Sequence, residues 1–168
     1  MDRDGVGAGA GDGGGNRDDI GNWGSIPGWT LLHKHGHPCA FGIPNVLMGR
    51  VRGFKCGEHS CWVTFDGIGV INSYIPDVGK GQVAFQRAMK EVDRVISRMG
   101  RWVRRCVLAG DWNTEMPAAV CSGVGNRGGR LRGEAGYEDR VAEVASVWHK
   151  HGMAAVNTFS SQAEMCDW

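Results

Sequence analysis

No run in this 168-residue sequence is long and apolar enough to span a membrane, which excludes a transmembrane helix. Charge of one sign is missing too. Lys and Arg number 19 against 18 Asp and Glu, a formal net charge of +1 and a pI near 7.7. No whole-molecule field therefore forces a nucleic-acid partner, although a local basic patch can still bind one. The N-terminus has no apolar core behind a basic start, the mark of a secretory signal. With no sign of an oxidising destination, the six cysteines, at 39, 56, 61, 106, 121 and 166, are expected as reduced thiols in a soluble intracellular protein. Large apolar side chains are almost absent from residues 1–22, MDRDGVGAGAGDGGGNRDDIGN. Such a stretch buries too little surface to offset its ordering entropy, so a disordered Gly/Asp-rich tail is expected there. A phosphate-cradling glycine loop would need a strand before it and a helix after it, and neither is visible.

From 23 to 168 the hydrophobic content is that of one globular domain. Short strands are expected at Trp29–His33, Val46–Phe54, Cys61–Phe65 and Val70–Ile75. Pro38, Gly42 and Pro44 interrupt the segment between the first two, and Pro76 ends the fourth. The spacing of Val83, Phe85, Met89, Val92, Val95, Ile96 and Met99 predicts a helix over 82–99, with Lys90, Glu91, Asp93, Arg94 and Arg98 on its polar side. Arg105–Ala109 then reads as a buried strand, 122–136 as a mobile Gly/Arg-rich loop, Glu138–His151 as a second helix and Ala154–Phe159 as a last strand. Strand–helix alternation of this kind predicts an α/β layered domain.

Chemistry concentrates in two places. In Val107-Leu-Ala-Gly-Asp-Trp-Asn-Thr-Glu115, an apolar strand delivers Asp111 and Asn113, two apart and so expected on one side of the chain. A carboxylate there can orient or deprotonate a water, and the amide can meet a phosphate oxygen or a hard cation. In Val70-Ile-Asn-Ser-Tyr-Ile-Pro-Asp77, Tyr74 ends an apolar strand, where its phenol can donate to a charged phosphoryl oxygen. Either segment alone also reads blandly, Asp-x-Asn as a turn or cap and the tyrosine as a half-buried core residue.

Taken together and in this order, Tyr74-Ile75-Pro76, one long helix, then Gly110-Asp111-Trp112-Asn113, the sequence resembles the endonuclease/exonuclease/phosphatase family. That family includes apurinic endonucleases, deoxyribonuclease I, inositol phosphatases and the endonuclease domains of non-LTR retrotransposons, which are joined to reverse transcriptases. The retroelement group is the nearest in style. The resemblance implies a partial four-layered α/β sandwich, two mixed sheets face to face with helices outside. It implies Mg2+-dependent phosphodiester hydrolysis on DNA or a related substrate. Asp111 and Asn113 would serve catalysis and the metal, Tyr74 would contact the scissile phosphate, and Trp112 would point the other way into the core. The sequence departs from the pattern at both sides of the match. We find no early strand Asn or metal-binding Glu before Trp29, and no closing Ser-Asp-His strand after Phe159. The expectation is a domain truncated at both ends, weak or inactive as an isolated chain. A non-catalytic nucleic-acid or phosphate-binding remnant is the alternative.

Other residues admit binding roles. Arg50, Arg52 and Lys55 read as a basic strand face, and Arg127, Arg130 and Arg132 lie in the Gly-rich loop; Arg50, Arg52 and Arg130 are the candidates for substrate contact. His33, His35 and His37, followed by Cys39, would share a strand face, and Cys56-Gly-Glu-His-Ser-Cys61 would flank a hairpin turn. A zinc site needs four ligands, so each cluster by itself reads as a polar face or as isolated thiols. A metal-binding interaction protein using both is the third reading.

Overall fold

A computed structural model describes residues 26–114 and 136–154. The tail over 1–22, the arginines at 127, 130 and 132, and the expected strand beyond Ala154 lie outside the described residues. The chain forms β1 (Trp29–His33), β2 (Ala40–Pro44), a single helical turn α1 (Asn45–Met48), β3 (Gly53–Cys56), β4 (Ser60–Phe65), β5 (Ile68–Tyr74), α2 (Gln82–Met99), β6 (Arg105–Asp111) and α3 (Tyr137–Lys150). It is an α/β structure with two sheets. The antiparallel β1–β2 pair makes one, and β3-β4-β5-β6 makes the other, with β5 and β6 parallel and the rest antiparallel. The helix of the β5–α2–β6 crossover satisfies the need of parallel neighbours for a long connection.

Two apolar clusters show how the layers stack. On one face of the large sheet, Ile71 and Ile75 pack with Phe85, Ala88, Met89, Val92, Val95, Ile96 and Met99 of α2 and with Tyr137, Val141 and Val144 of α3. On the other, Val63 of β4 meets Leu32 of β1 and Ile43 of β2, flanked by Phe41, Phe54, Phe65 and Val70. Apolar residues of the small sheet thus meet those of the large one while the helices cover the reverse side, consistent with a partial α/β sandwich, although only the large sheet is mixed and the small one is antiparallel. Each large side chain fully buried this way contributes about 1.5–3 kcal/mol. Towards β6 the small sheet gives out, and Val107 stays 52% exposed.

Five local expectations change. Arg105–Ala109 is a strand but not a buried one, because β6 ends the sheet and none of its residues is buried. His33 closes β1 while His35 and His37 lie in the loop after it, so the three share no strand face. Val46–Phe54 is not one strand. Pro44, with φ of −54°, leads directly into the α1 turn, and pairing resumes only at Gly53. The proline- and glycine-broken segment before it does form a strand. It has only β1 as a neighbour, and a proline is tolerated on such an edge. In α2, Val83 is 71% exposed and Ala88 takes its place in the buried stripe.

The two helices are joined at their polar margin. Asp93 of α2 accepts from Lys150 Nζ at 2.8 Å and lies 2.7 Å from His151 Nε2. The bond from Lys150, then that from His151, hold the Asp93 carboxyl below its usual value of 3.8. A carboxylate whose pKa falls on folding adds stability that is complete above its unfolded pKa and is lost as pH drops through the lower folded value. Asp93→Asn should therefore cost about 0.5–1 kcal/mol at pH 7 and nothing measurable well below pH 3.8. Urea midpoints of both proteins, taken from neutral to acid pH, should converge; a gap independent of pH would refute the assignment.

Candidate functional site

The carboxyl ends of β5 and β6 carry the residues singled out by sequence. In the parallel ladder Tyr74 is the register partner of Asp111, so the two residues sit at the same level of neighbouring strands. The ladder is locked at this end, where Ile75 N–H donates to Asp111 O at 2.8 Å. Asp111 is exposed and Tyr74 is half-buried. The strand stops at Asp111, and Asn113 takes the left-handed conformation, φ 45°, that asparagine tolerates better than most residues. Its backbone N–H donates to Asp111 Oδ1 at 3.1 Å, and its Nδ2 donates to Ile75 O at 2.9 Å. Asn113 is thus placed by a turn, not by strand alternation, and its amide fastens the β6 end to the β5 end. Asn113 Oδ1 and the second carboxylate oxygen of Asp111 have no hydrogen bond among the described residues. Trp112 points the other way, edge-on to Trp148 of α3 at 5.6 Å between centroids.

Gly110 makes this arrangement possible. Its φ is +128°, and a Cβ there would collide with the backbone of Ser73. The two strands approach closely one residue before Tyr74 and Asp111 pair.

The segment after Tyr74 is held by Arg140 of α3, which is only 2% exposed. Its guanidinium donates to Pro76 O at 2.8 Å and to Asp77 O at 3.0 Å, and it stacks 4.3 Å above the Phe85 ring. Burial pulls its pKa below the ordinary value, and the charges of Asp77 and Glu143 oppose that fall. Sequence reading missed Arg140. The signal was an arginine on the apolar stripe of a helix, between Tyr137 and Val141. Glu91 was read as surface, yet its carboxylate accepts the backbone N–H groups of Glu58, His59 and Ser60 in the β3–β4 turn, at 2.9–3.3 Å. That turn in turn supplies His59 O to Tyr74 N–H at 2.9 Å.

No family model, curated protein or solved structure matches this chain. Function must therefore be argued from the geometry alone.

Arg50 and Arg52 are not brought to this site. Both pair with Asp66, at 3.1 and 2.9 Å, and the two bonds hold its carboxyl below the ordinary range. Asp66 lies in the β4–β5 turn, at the far end of β5 from Tyr74. The seven-residue strand between them is about 20 Å long. Lys55 is the register partner of Trp62 on the α2 side of the sheet, and Arg130 lies outside the described residues. Two surface cavities, of about 580 and 560 Å³, also lie elsewhere, one beside Arg140 and Gln86, the other between Trp62, Arg98 and Trp102.

Two of the cysteines differ from expectation. Cys56 and Cys61 are joined in a disulfide across the β3–β4 hairpin, where register sets them directly opposite, Cα to Cα 4.0 Å. The expectation of reduced thiols rested on compartment, which says nothing about this proximity. Cys39 is free and buried, and burial pushes its pKa up. Among the described residues no helix is long and apolar enough to cross a membrane.

Proposed function

We propose that this chain is a phosphodiesterase-type domain of the endonuclease kind, able to hold a phosphodiester such as DNA at the β5–β6 strand ends but weak or inactive in turnover by itself. The observation that carries this reading is the register pairing of Tyr74 with Asp111, with Asn113 tied to the same strand end through Ile75. In this reading the Tyr74 hydroxyl donates to a phosphoryl oxygen, and the Asp111 carboxylate orients the attacking water. Asp111 and Asn113 offer hard oxygen donors of the kind that suits Mg2+. Bound there, Mg2+ would neutralise charge at the phosphate. With one carboxylate the donor set is thin, so weak binding follows. In this reading the residues that resemble the family include no metal-binding glutamate and no histidine, and a site without them turns over slowly at most.

The test is a pair of assays on the purified chain. With Mg2+, supercoiled or abasic DNA should show no nicking above background, while a short duplex should be retained in a Mg2+-dependent way. Asp111→Ala should weaken that retention about tenfold, equivalent to the loss of one good charged contact. Retention indifferent to both Asp111→Ala and Tyr74→Phe would remove the site. Mg2+-dependent nicking abolished by Asp111→Ala would instead establish a competent enzyme.

A further inference from the structure

The two His/Cys clusters that look unremarkable apart are joined by the fold. His37 belongs to the β1–β2 loop, and Cys56 and Cys61 belong to the β3–β4 hairpin, yet their ligand atoms all lie within 4.8 Å of one another. His37 Nδ1 is 3.2 Å from Cys61 Sγ. Cys61 is fully buried, and His37 Nε2 is buried with no hydrogen-bond partner. A ring nitrogen and two sulfurs converging from two separate sheets is a donor set for a borderline-soft cation, not for Mg2+.

We propose that, when the Cys56–Cys61 disulfide is reduced, His37, Cys56 and Cys61 form a Zn2+ site that ties the small sheet to the β3–β4 hairpin. Reduction delivers two electrons and two protons to the S–S bond from two thiols of the glutathione class, which pair as their own disulfide, and gives two protein thiols. The Cys61 thiol then has Cys39 O as an acceptor at 3.4 Å. Zn2+ displaces the two thiol protons to solvent and binds two thiolates and a neutral imidazole, so the site carries no net charge. A neutral set is what a buried position tolerates. Three protein ligands leave a fourth position for water or an added ligand. The Cys39 N–H, which donates to His37 Nδ1 at 3.0 Å, competes with the cation for that nitrogen and keeps the affinity below that of a four-thiolate site.

The disulfide closes only its own hairpin, whereas the metal links two sheets. The link lies next to the candidate phosphate site. Cys61 is the register partner of Asn72, two residues before Tyr74 on the same face of β5. Asn72 Nδ2 in turn donates to Ala40 O in β2 at 3.0 Å. The two oxidation states therefore offer the same region alternative staples, a covalent one and a coordinate one.

The experiment uses the whole chain. It is reduced anaerobically with a phosphine, which leaves as its oxide with oxygen from water, then dialysed against Zn2+ and measured by elemental analysis. Co2+ is the spectroscopic probe in a parallel sample. We expect one Zn2+ per reduced chain and none per oxidised chain, with a thiolate-to-cobalt charge-transfer band in the reduced sample. His37→Ala and Cys56→Ser should each weaken binding at least 100-fold, beyond the 10–100-fold typical of disturbing only a ligand's supporting shell. Cys106→Ser, on the helix-facing side of β6, should leave it unchanged. The cobalt spectrum is read on the unaltered chain, so a misfolded variant cannot mask the outcome. Absence of the thiolate band in the reduced chain, or Zn2+ binding that survives in Cys56→Ser/Cys61→Ser, overturns the site.

Discussion

Gly110→Ala is expected to destabilise the chain by about 3 kcal/mol or more, a sizeable part of the roughly 5–15 kcal/mol that holds an ordinary domain together. Two costs combine. The backbone at Gly110 has φ +128°, a conformation L-residues rarely adopt, and the added Cβ would run into the backbone of Ser73 across the ladder. No flexible side-chain end can give way there. Either β6 moves off β5 or the β6 end flips, and both outcomes break the Tyr74–Asp111 register. Gly100→Ala is the matched control. Gly100 follows α2 with φ −54° and ψ −15°, and its Cβ would find nothing closer than 3.5 Å. Alanine there should be neutral or stabilise by about 0.4–1 kcal/mol through the unfolded state. Urea denaturation of the three proteins separates the two effects. Equal stability of Gly110→Ala and the unaltered chain would mean that the close strand approach is not a feature of the fold.

What the sequence made legible was whatever is written in a single segment. The α2 stripe follows from spacing, and its C-terminal end from Gly100. The β6 strand and its Gly-Asp-Trp-Asn ending are local as well, whereas the packing of Trp112 on Trp148 depends on α3 and was not legible. Failures came where a neighbour decides. Val46–Phe54 has a strand's composition, yet Pro44 and the tight turn at Gly49 spend its first half on α1. Asn113 was expected beside Asp111 by strand alternation. It is placed instead by a turn and by its bond to Ile75, 38 residues earlier in the chain. Arg50 and Arg52 lost their candidate role to Asp66, a partner that only the β4–β5 turn brings near. The His37–Cys56–Cys61 convergence was invisible for the same reason. It joins two clusters 19 residues apart that each fell short of a ligand set, and only the packing of one sheet on another completes it.

Arg140→Met should cost about 3 kcal/mol, and Arg140→Lys should recover less than half of that loss. The change does not replace one half of an ion pair; it strips the donors from two backbone carbonyls, Pro76 O and Asp77 O, that sit under α3. An acceptor left buried and unpaired costs about 1–3 kcal/mol, and here there are two. Methionine fills the volume, so the loss of packing against Phe85 is small and the carbonyls account for most of the effect. Lysine keeps the charge but not the planar fork that reaches both oxygens at once. The consequence reaches the candidate site, because these carbonyls belong to the residues that follow Tyr74 and fix how the strand end leaves the sheet. Hydrogen exchange should therefore show early opening of Tyr74 and Ile75 N–H, which are bonded to His59 O and Asp111 O, while the centre of β4 stays protected. A methionine variant as stable as the parent, with those two amides still slow, would mean that water reaches the carbonyls and that α3 merely covers the strand end without anchoring it.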